Sequence, residues 1–258
     1  MKITILTLFP ELFEGFAGNS IIKRAISKGV CELEFVNIRD FTKDKYGRVD
    51  TPPVGGGAGL VMKCQPVVDA IKSCKKSSSK TILMSPRGAT FNQQTAHRFI
   101  KETDHLIIVC GHYEGLDERI NNYVDEQISI GDFILTGGEI ASMAIADSII
   151  RLLDGAISEE STLEESFENG LLEYPQYTEP YEFEGYKVPD ILYSGNHAAI
   201  KKWRQKQSLK ITREYRKDLF NSYKLSKQDL KLLKEIDDGD KEAEWEIKAK
   251  EKGHKFMK

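Results

Sequence analysis

Two glycine-bearing segments carry the residue types from which a small-molecule site is built. They are Cys110-Gly111-His112-Tyr113-Glu114-Gly115-Leu116-Asp117-Glu118-Arg119 and Ser129-Ile130-Gly131-Asp132-Phe133-Ile134-Leu135-Thr136-Gly137-Gly138-Glu139. Glycine tolerates positive φ and lets main chain approach a ligand closely, so two such segments beside apolar runs imply backbone wrapped around a small molecule. A third turn, Ser85-Pro86-Arg87-Gly88, follows another apolar run. A nucleotide phosphate is the first guest to consider, yet no G-x-x-x-x-G-K-[ST] is present and no G-x-G-x-x-G joins a strand to a helix. The run Gly55-Gly56-Gly57-Ala58-Gly59 continues into Leu60-Val61-Met62 rather than Lys-Ser, which disfavours phosphate cradling. By composition alone it reads equally as a plain surface loop.

The elements that must position these turns follow from the hydrophobic pattern. Apolar runs at 3–9, 33–38, 81–84 and 106–110 have the length of buried strands, and the segments between them have helical periodicity. Such alternation predicts an α/β fold on a parallel sheet, in which ligands sit beyond the carboxyl ends of the strands, where the three turns fall. Pro66 suits the first turn of a helix whose Val67, Val68 and Ile71 share a face, and Asn92 can cap another built on Ala96, Phe99 and Ile100. Residues 138–153 are apolar nearly all round, which predicts a buried helix, with a subunit interface as one place for it.

With 258 residues and 40% hydrophobic content, the chain can bury a core in one large domain or two ordinary ones. Its net charge of -3 averages over blocks of opposite sign. Nine Glu and no Lys or Arg lie between Ser158 and Glu184, whereas Lys201, Lys202, Arg204, Lys206, Lys210, Arg213, Arg216 and Lys217 stand against Glu214 alone. The acidic stretch reads as an interdomain linker, mobile unless bound, and segments 197–207, 226–235 and 240–252 read as helices of a small C-terminal domain bearing the basic patch. Basic residues of this kind suit RNA phosphates, and Tyr215 or Tyr223 could add stacking. Cys31, Cys64, Cys74 and Cys110 show neither a C-x-x-C pair nor metal-ligand spacing, the expectation for reduced cytoplasmic thiols. No apolar run approaches the roughly 20 residues that span a bilayer, and Pro10, Glu11 and Glu14 end the first one too early for a signal peptide.

Several of these segments occur together, in this order, in a known family. They are Gly55-Gly56-Gly57-Ala58-Gly59-Leu60-Val61-Met62, Leu83-Met84-Ser85-Pro86-Arg87-Gly88, the two glycine segments above, Ser166-Phe167 with Gly170-Leu171-Leu172, and Ser194-Gly195-Asn196-His197 followed by Trp203-Arg204. Nearly end to end, the chain resembles the bacterial tRNA (guanine-N1)-methyltransferase (TrmD) family of the SPOUT class. The resemblance implies a domain at 1–157 with a parallel sheet and a C-terminal trefoil knot binding S-adenosylmethionine, an acidic linker at 158–175, and a helical, basic tRNA-binding domain at 176–258. By the same analogy, Ser85, Pro86, Gly111, Tyr113, Glu114, Ile130, Gly131, Asp132, Phe133, Ile134, Leu135, Gly137 and Gly138 would hold the cofactor. Gly56, Gly57, Gly59, Ser166, Lys201, Lys202 and Arg204 would meet the tRNA.

The family reaction moves a methyl group to N1 of the guanine 3′ of the anticodon, and N1 must lose its proton to a general base. That base is an aspartate directly before a Ser-Phe pair in the family, and Glu165 occupies the position here, one methylene longer, with Glu173 the next candidate. Arg151 matches the arginine that holds the guanine, a task suited to a guanidinium with parallel donors. The resemblance further implies a cytoplasmic homodimer and a link to Mg²⁺, for which no set of protein oxygen ligands is evident in the sequence. Pro53-Val54, the stretch Asp154-Gly155-Ala156-Ile157-Ser158 and Tyr177-Thr178-Glu179-Pro180 depart from the family pattern on the linker and substrate side. The alternatives are a SPOUT enzyme for another RNA position, such as a ribose 2′-hydroxyl, and a non-catalytic RNA-binding homologue.

Overall fold

The computed structural model describes residues 1–158, 164–239 and 243–253. The chain forms two compact units, Met1–Glu159 and Glu160–Lys258.

The first unit is built on a five-stranded sheet in the order β2-β1-β6-β5-β7, with β1 Lys2–Thr7, β2 Glu32–Asn37, β5 Ser79–Thr90, β6 His105–Val109 and β7 Glu126–Ser129. Every neighbouring pair is parallel. The pleat sorts one apolar run onto two faces. Ile3, Ile5, Ile82, Met84, Leu106 and Ile108 pack on one side with Ile22 and Ala25 of α2 (Ser20–Ser27), Ala96 and Phe99 of α4 (Gln93–Glu102), and Ile145 and Ile149 of α5 (Glu139–Ile150). Leu6, Leu83, Ile107 and Val109 face the other way, against Val67, Val68, Ala70 and Ile71 of α3 (Cys64–Cys74). Pro66 lies in the first turn of α3, and the Asn92 side chain accepts from Thr95 N–H to cap α4. Between β2 and α3, β3 (Asp50–Thr51) and β4 (Val61–Met62) form a short antiparallel pair.

Three features differ from the sequence pattern. First, β5 runs twelve residues, so Ser85–Gly88 is an irregularity inside a strand, where the register against β7 shifts between Met84 and Ala89. Gly88 makes this possible, because a Cβ there would stand 2.5 Å from the Gln127 carbonyl carbon. Second, β7 (Glu-Gln-Ile-Ser) is too short and polar to announce itself, and pairing with β5 alone makes it a strand. Third, α5 stops at Ile150, and its Ile140 is 60% exposed although the helix is apolar all round.

In the second unit the long helix His197–Tyr215 outruns the expected 197–207 because Leu209 and Thr212 remain fully buried. Leu209 packs with Leu171 and with Leu232, Leu233 and Ile236 of helix Lys227–Asp237, whose start carries a Ser226–Asp229 capping box. Residues 240–242 of the expected helix 240–252 lie outside the described residues, as do 159–163 of the expected linker; the helix observed is Glu244–Gly253. Residues 164–175 are more ordered than the linker reading expects. Leu171 is 5% exposed, and Leu172 N–H donates to Thr212 Oγ1 at 2.8 Å. Among the described residues, no helix is long and apolar enough to cross a membrane.

At the amino end of the sheet, the buried His105 ring shares hydrogen bonds with Thr4 Oγ1 (2.9 Å) and Ser79 Oγ (2.8 Å), and burial lowers its pKa below the ordinary 6.5. The folded imidazole therefore resists a proton that the unfolded chain accepts, so stability present above about that pH is lost as the pH falls below it. His105→Asn is expected to flatten the decline in urea-unfolding stability between about pH 7 and 5; an unchanged slope would remove His105 as its source.

Candidate active site

Because all five strands are parallel, their carboxyl ends share one edge, and a cavity of about 540 Å³ opens there beyond β5, β6 and β7. Of the sequence-predicted cofactor residues, Ser85, Pro86, Gly111, Tyr113, Glu114, Ile130, Gly131, Phe133, Ile134, Leu135, Gly137 and Gly138 line it. Asp132 is not among the lining residues. His112, Leu116, Asp117, Thr136 and Ala141 also line it; all but Ala141 fall inside the same two glycine segments, and Ala141 follows directly in α5.

Main chain makes the walls. Gly138 N–H donates to Gly111 O at 2.8 Å, and Gly137 bridges His112 in antiparallel fashion. A Cβ on Gly138 would lie 2.9 Å from Cys110 Cα and 3.1 Å from Gly111 N, neither of which can rotate away. Tyr113 adopts φ +61, an uncommon conformation for a bulky residue, and the turn closes on Gly115 at φ +129. Gly131 (φ +141) opens the second segment.

The buried polar groups behind the lining are neutral or committed. Burial raises the Cys110 thiol far above its ordinary pKa, and it donates to Ser142 Oγ at 3.3 Å, so no thiolate is offered. Buried Glu139 accepts from Thr7 Oγ1 at 2.9 Å. At the mouth, Phe133 and Ile134 are 54% and 81% exposed. On the rim, Arg87 donates to both oxygens of Glu118 at 2.9 and 2.8 Å, while Arg119 holds the Asp117 carboxyl below its usual range. Glycine walls with exposed backbone edges, an apolar mouth and the carboxylates of Glu114, Asp117 and Glu118 in the lining suit a flat heterocycle better than a polyphosphate.

The run at 55–59 is tied to this cavity through β4. Met62 N–H donates to Gly115 O at 2.9 Å, Glu114 N–H to Leu60 O at 3.0 Å, and Asp117 N–H to Met62 O at 3.0 Å. Gly55, Gly56, Gly57 and Gly59 all have positive φ, and a Cβ on Gly59 would collide with the Glu114 side chain. Gly56 and Gly57 do not line the cavity. Arg151 is the C-cap residue of α5, its N–H bonded to Asp147 O at 3.0 Å.

Glu165 belongs to the second unit and sits at the start of a closed turn. Phe167 N–H donates to Leu171 O at 2.8 Å, and Glu173 N–H donates to Ser166 Oγ at 2.9 Å. Its neighbour Glu164 is clasped at Oε2 by Tyr174 Oη–H (2.6 Å) and Arg204 Nη1–H (3.2 Å). Burial and the Glu164 carboxylate push Tyr174 up to about 12. The basic run is partly neutralised inside this unit, which the sequence could not show. Lys202 meets Glu235, Lys206 meets Glu246 at 2.9 Å while 1% exposed, Arg213 meets Asp237 and Arg216 meets Asp218. Among the described residues, no group of three or more His, Cys, Asp or Glu side chains is gathered as a metal ion requires.

A parallel α/β sheet whose carboxyl edge carries a glycine-walled cavity, with no phosphate loop, places the chain among α/β proteins that bind a small molecule beyond the ends of their strands. The chain belongs to the family described as tRNA (Guanine-1)-methyltransferase TrmD, whose family model matches residues 1–222. A tRNA (guanine-N(1)-)-methyltransferase of Clostridium perfringens is 58% identical over 236 residues, covering 91% of this chain and 99% of the relative. Relatives of the same description from Malacoplasma penetrans and Clostridium acetobutylicum are 56% and 54% identical, covering 86% and 90% of this chain and 98% and 96% of theirs. Methyltransferase membership implies S-adenosylmethionine as the donor, and the cavity's apolar mouth and main-chain walls fit its adenosine moiety. Gly138→Ala is expected to weaken S-adenosylmethionine binding about 5- to 150-fold in calorimetric titration, since overpacking main chain costs about 1–3 kcal/mol; unchanged affinity would separate the cavity from the donor.

Proposed function

We propose that the chain transfers the methyl group of S-adenosylmethionine to N1 of the guanine 3′ of the anticodon in tRNA. The observation that carries this reading is the main-chain cradle at Gly111 and Gly138 in a chain more than half identical to tRNA (guanine-N(1)-)-methyltransferases along almost its whole length. Bound in the cavity, the donor supplies an electrophilic methyl group on a sulfonium. The protein's own work is to orient the base, receive its proton and exclude water.

In this reading Glu165 accepts the proton from guanine N1 as its lone pair turns to the methyl group, and Arg151 donates to the base and offsets the charge left as that proton departs. Glutamate retains the carboxylate chemistry of the family's aspartate. The turn at Ser166 and Phe167 fixes the backbone from which the longer side chain reaches, which supports Glu165 over Glu173, whose N–H serves that turn. Gly56, Gly57, Gly59, Ser166, Lys201, Lys202 and Arg204 contact the tRNA. Asp132 is retained with the cofactor set through its place between Gly131 and Phe133. No step is assigned to Mg²⁺.

The fold is a trefoil knot at the end of the domain 1–157. It is supported by the path of the chain from β7 at the sheet edge back past β5, ending with Gly138 against Gly111. Residues 158–175 link this domain to the tRNA-binding domain at 176–258. Two copies assemble with two-fold symmetry in the cytoplasm, each cavity served by the partner's linker and C-terminal domain. The exposed Ile140 on an otherwise apolar helix and the exposed Leu12 suit such a contact.

Glu165→Gln is expected to slow single-turnover methylation of an anticodon stem-loop by about 10²- to 10⁴-fold while donor binding holds. Mapping of the product should place the methyl on guanine N1; full turnover by the variant moves the base to Glu173, and a ribose 2′-O-methyl product overturns the assigned reaction.

A further inference from the structure

The second unit contains a cavity of its own, about 460 Å³ in volume, between the segment 164–177 and the long helix His197–Tyr215. Tyr174, Tyr177 and Trp203 give it aromatic walls, and Glu164, Lys201 and Arg204 give it charge. Tyr177 and Trp203 stand with ring centroids 6.4 Å apart and planes tilted by 52°, two walls at an angle rather than a closed stack. Tyr177, 45% exposed, keeps aromatic surface uncommitted, whereas Trp203 is buried against Ile191, Ala199 and Ala249 and backs the pocket from within the core. Arg204 lies over the Tyr174 ring at 4.5 Å, with one Nη1 bond to Glu164 at 3.2 Å. Both donors to Glu164, Tyr174 Oη–H and Arg204 Nη1–H, go to Oε2. Oε1 therefore keeps its capacity to accept from an amino or imino edge.

Aromatic faces, cations and a carboxylate in one pocket match the parts of one kind of ligand. A base has a π-face for Tyr177 and donors on its edge for Glu164, while its phosphate suits Lys201 and Arg204. We infer that this cavity receives an unstacked nucleotide of the tRNA, distinct from the methylated guanine. This makes the second unit a reader of RNA conformation as well as a source of positive charge. The inference rests on the tRNA substrate proposed above. It also identifies Tyr177, rather than Tyr215 or Tyr223, as the stacking residue, with Trp203 close behind it as a reporter. Tyr215 is 69% exposed on the same helix and does not line the cavity.

The test uses the full-length protein and an anticodon stem-loop RNA. Trp203 and Trp245 are the chain's two tryptophans, so Trp245→Phe leaves Trp203 as the reporter. Its emission should be quenched as RNA is titrated in. Tyr177 is 45% exposed and can be truncated without opening the core. Tyr177→Ala should raise the KM for RNA about 5- to 100-fold, the worth of one base–aromatic stack, with kcat and donor affinity within about twofold. Tyr177→Phe should restore the wild-type KM, and Tyr186→Ala, in the exposed hairpin of the same unit, should leave it unaltered. Unmoved Trp203 emission at saturating RNA, an unchanged KM for Tyr177→Ala, or equal losses for the Ala and Phe variants would each overturn the pocket. Failure of the wild-type protein to methylate guanine would instead remove the proposed reaction, and RNA quenching of Trp203 would then decide the pocket without turnover.

Discussion

Main chain meets main chain where Gly138 donates to Gly111, and the first unit is organised around that approach. With the Gly138 Cβ position only 2.9 Å from Cys110 Cα, the segment after β7 can lie against the end of β6 only if no side chain intervenes. From that contact follow the start of α5, the placement of Glu139 under Thr7, and the burial of Cys110 as an inert thiol. The same contact turns two glycine segments, which follow strands separated in the sheet by β5, into opposing walls of one cavity. The wall atoms are largely peptide groups and apolar carbons, with the carboxylates of Glu114 and Asp117 among them, which suit a ligand recognised by its outline and its edge donors.

The second unit solves a different problem, holding a short acidic segment in place with little apolar surface of its own. Among its described residues Leu171 is the deeply buried anchor, and hydrogen bonds at Ser166, Phe167 and Leu172 add to it. A carboxylate on such a turn has a defined backbone origin while its side chain stays near water. The Glu164–Tyr174–Arg204 clasp fixes the residue immediately before it. Order at this point limits the number of arrangements that RNA binding must still select.

Much of the first unit was legible because buried parallel strands are short apolar runs, and β1 and β6 are of that kind. The glycine segments announced the cavity for an equally local reason, since positive φ and close approach both demand glycine. What stayed hidden depended on partners distant in the chain. β7 is polar and becomes a strand only through β5. Ser85–Gly88 looked like a turn because its irregular pairing with residues some forty positions later leaves no periodic trace. The acidic segment looked structureless because its few apolar residues, such as Phe167, Leu171 and Leu172, show no helix or strand period. The base and the arginine were legible only through the family resemblance; nothing in the spacing of Glu165 and Arg151 announces chemistry.

The internal pairing of the basic helix changes how the second unit should feel the ionic atmosphere around RNA. A lysine or arginine that already holds a carboxylate displaces few counterions when a phosphate arrives, because its charge is largely spoken for. Lys202, Lys206, Arg213 and Arg216 are in that position, Lys206 with almost no access to solvent. The salt dependence of RNA association at this surface will therefore be shallower than the run from Lys201 to Lys217 suggests. A larger share of the affinity then comes from shape and stacking, which persist at ionic strengths that strip away loosely held phosphates.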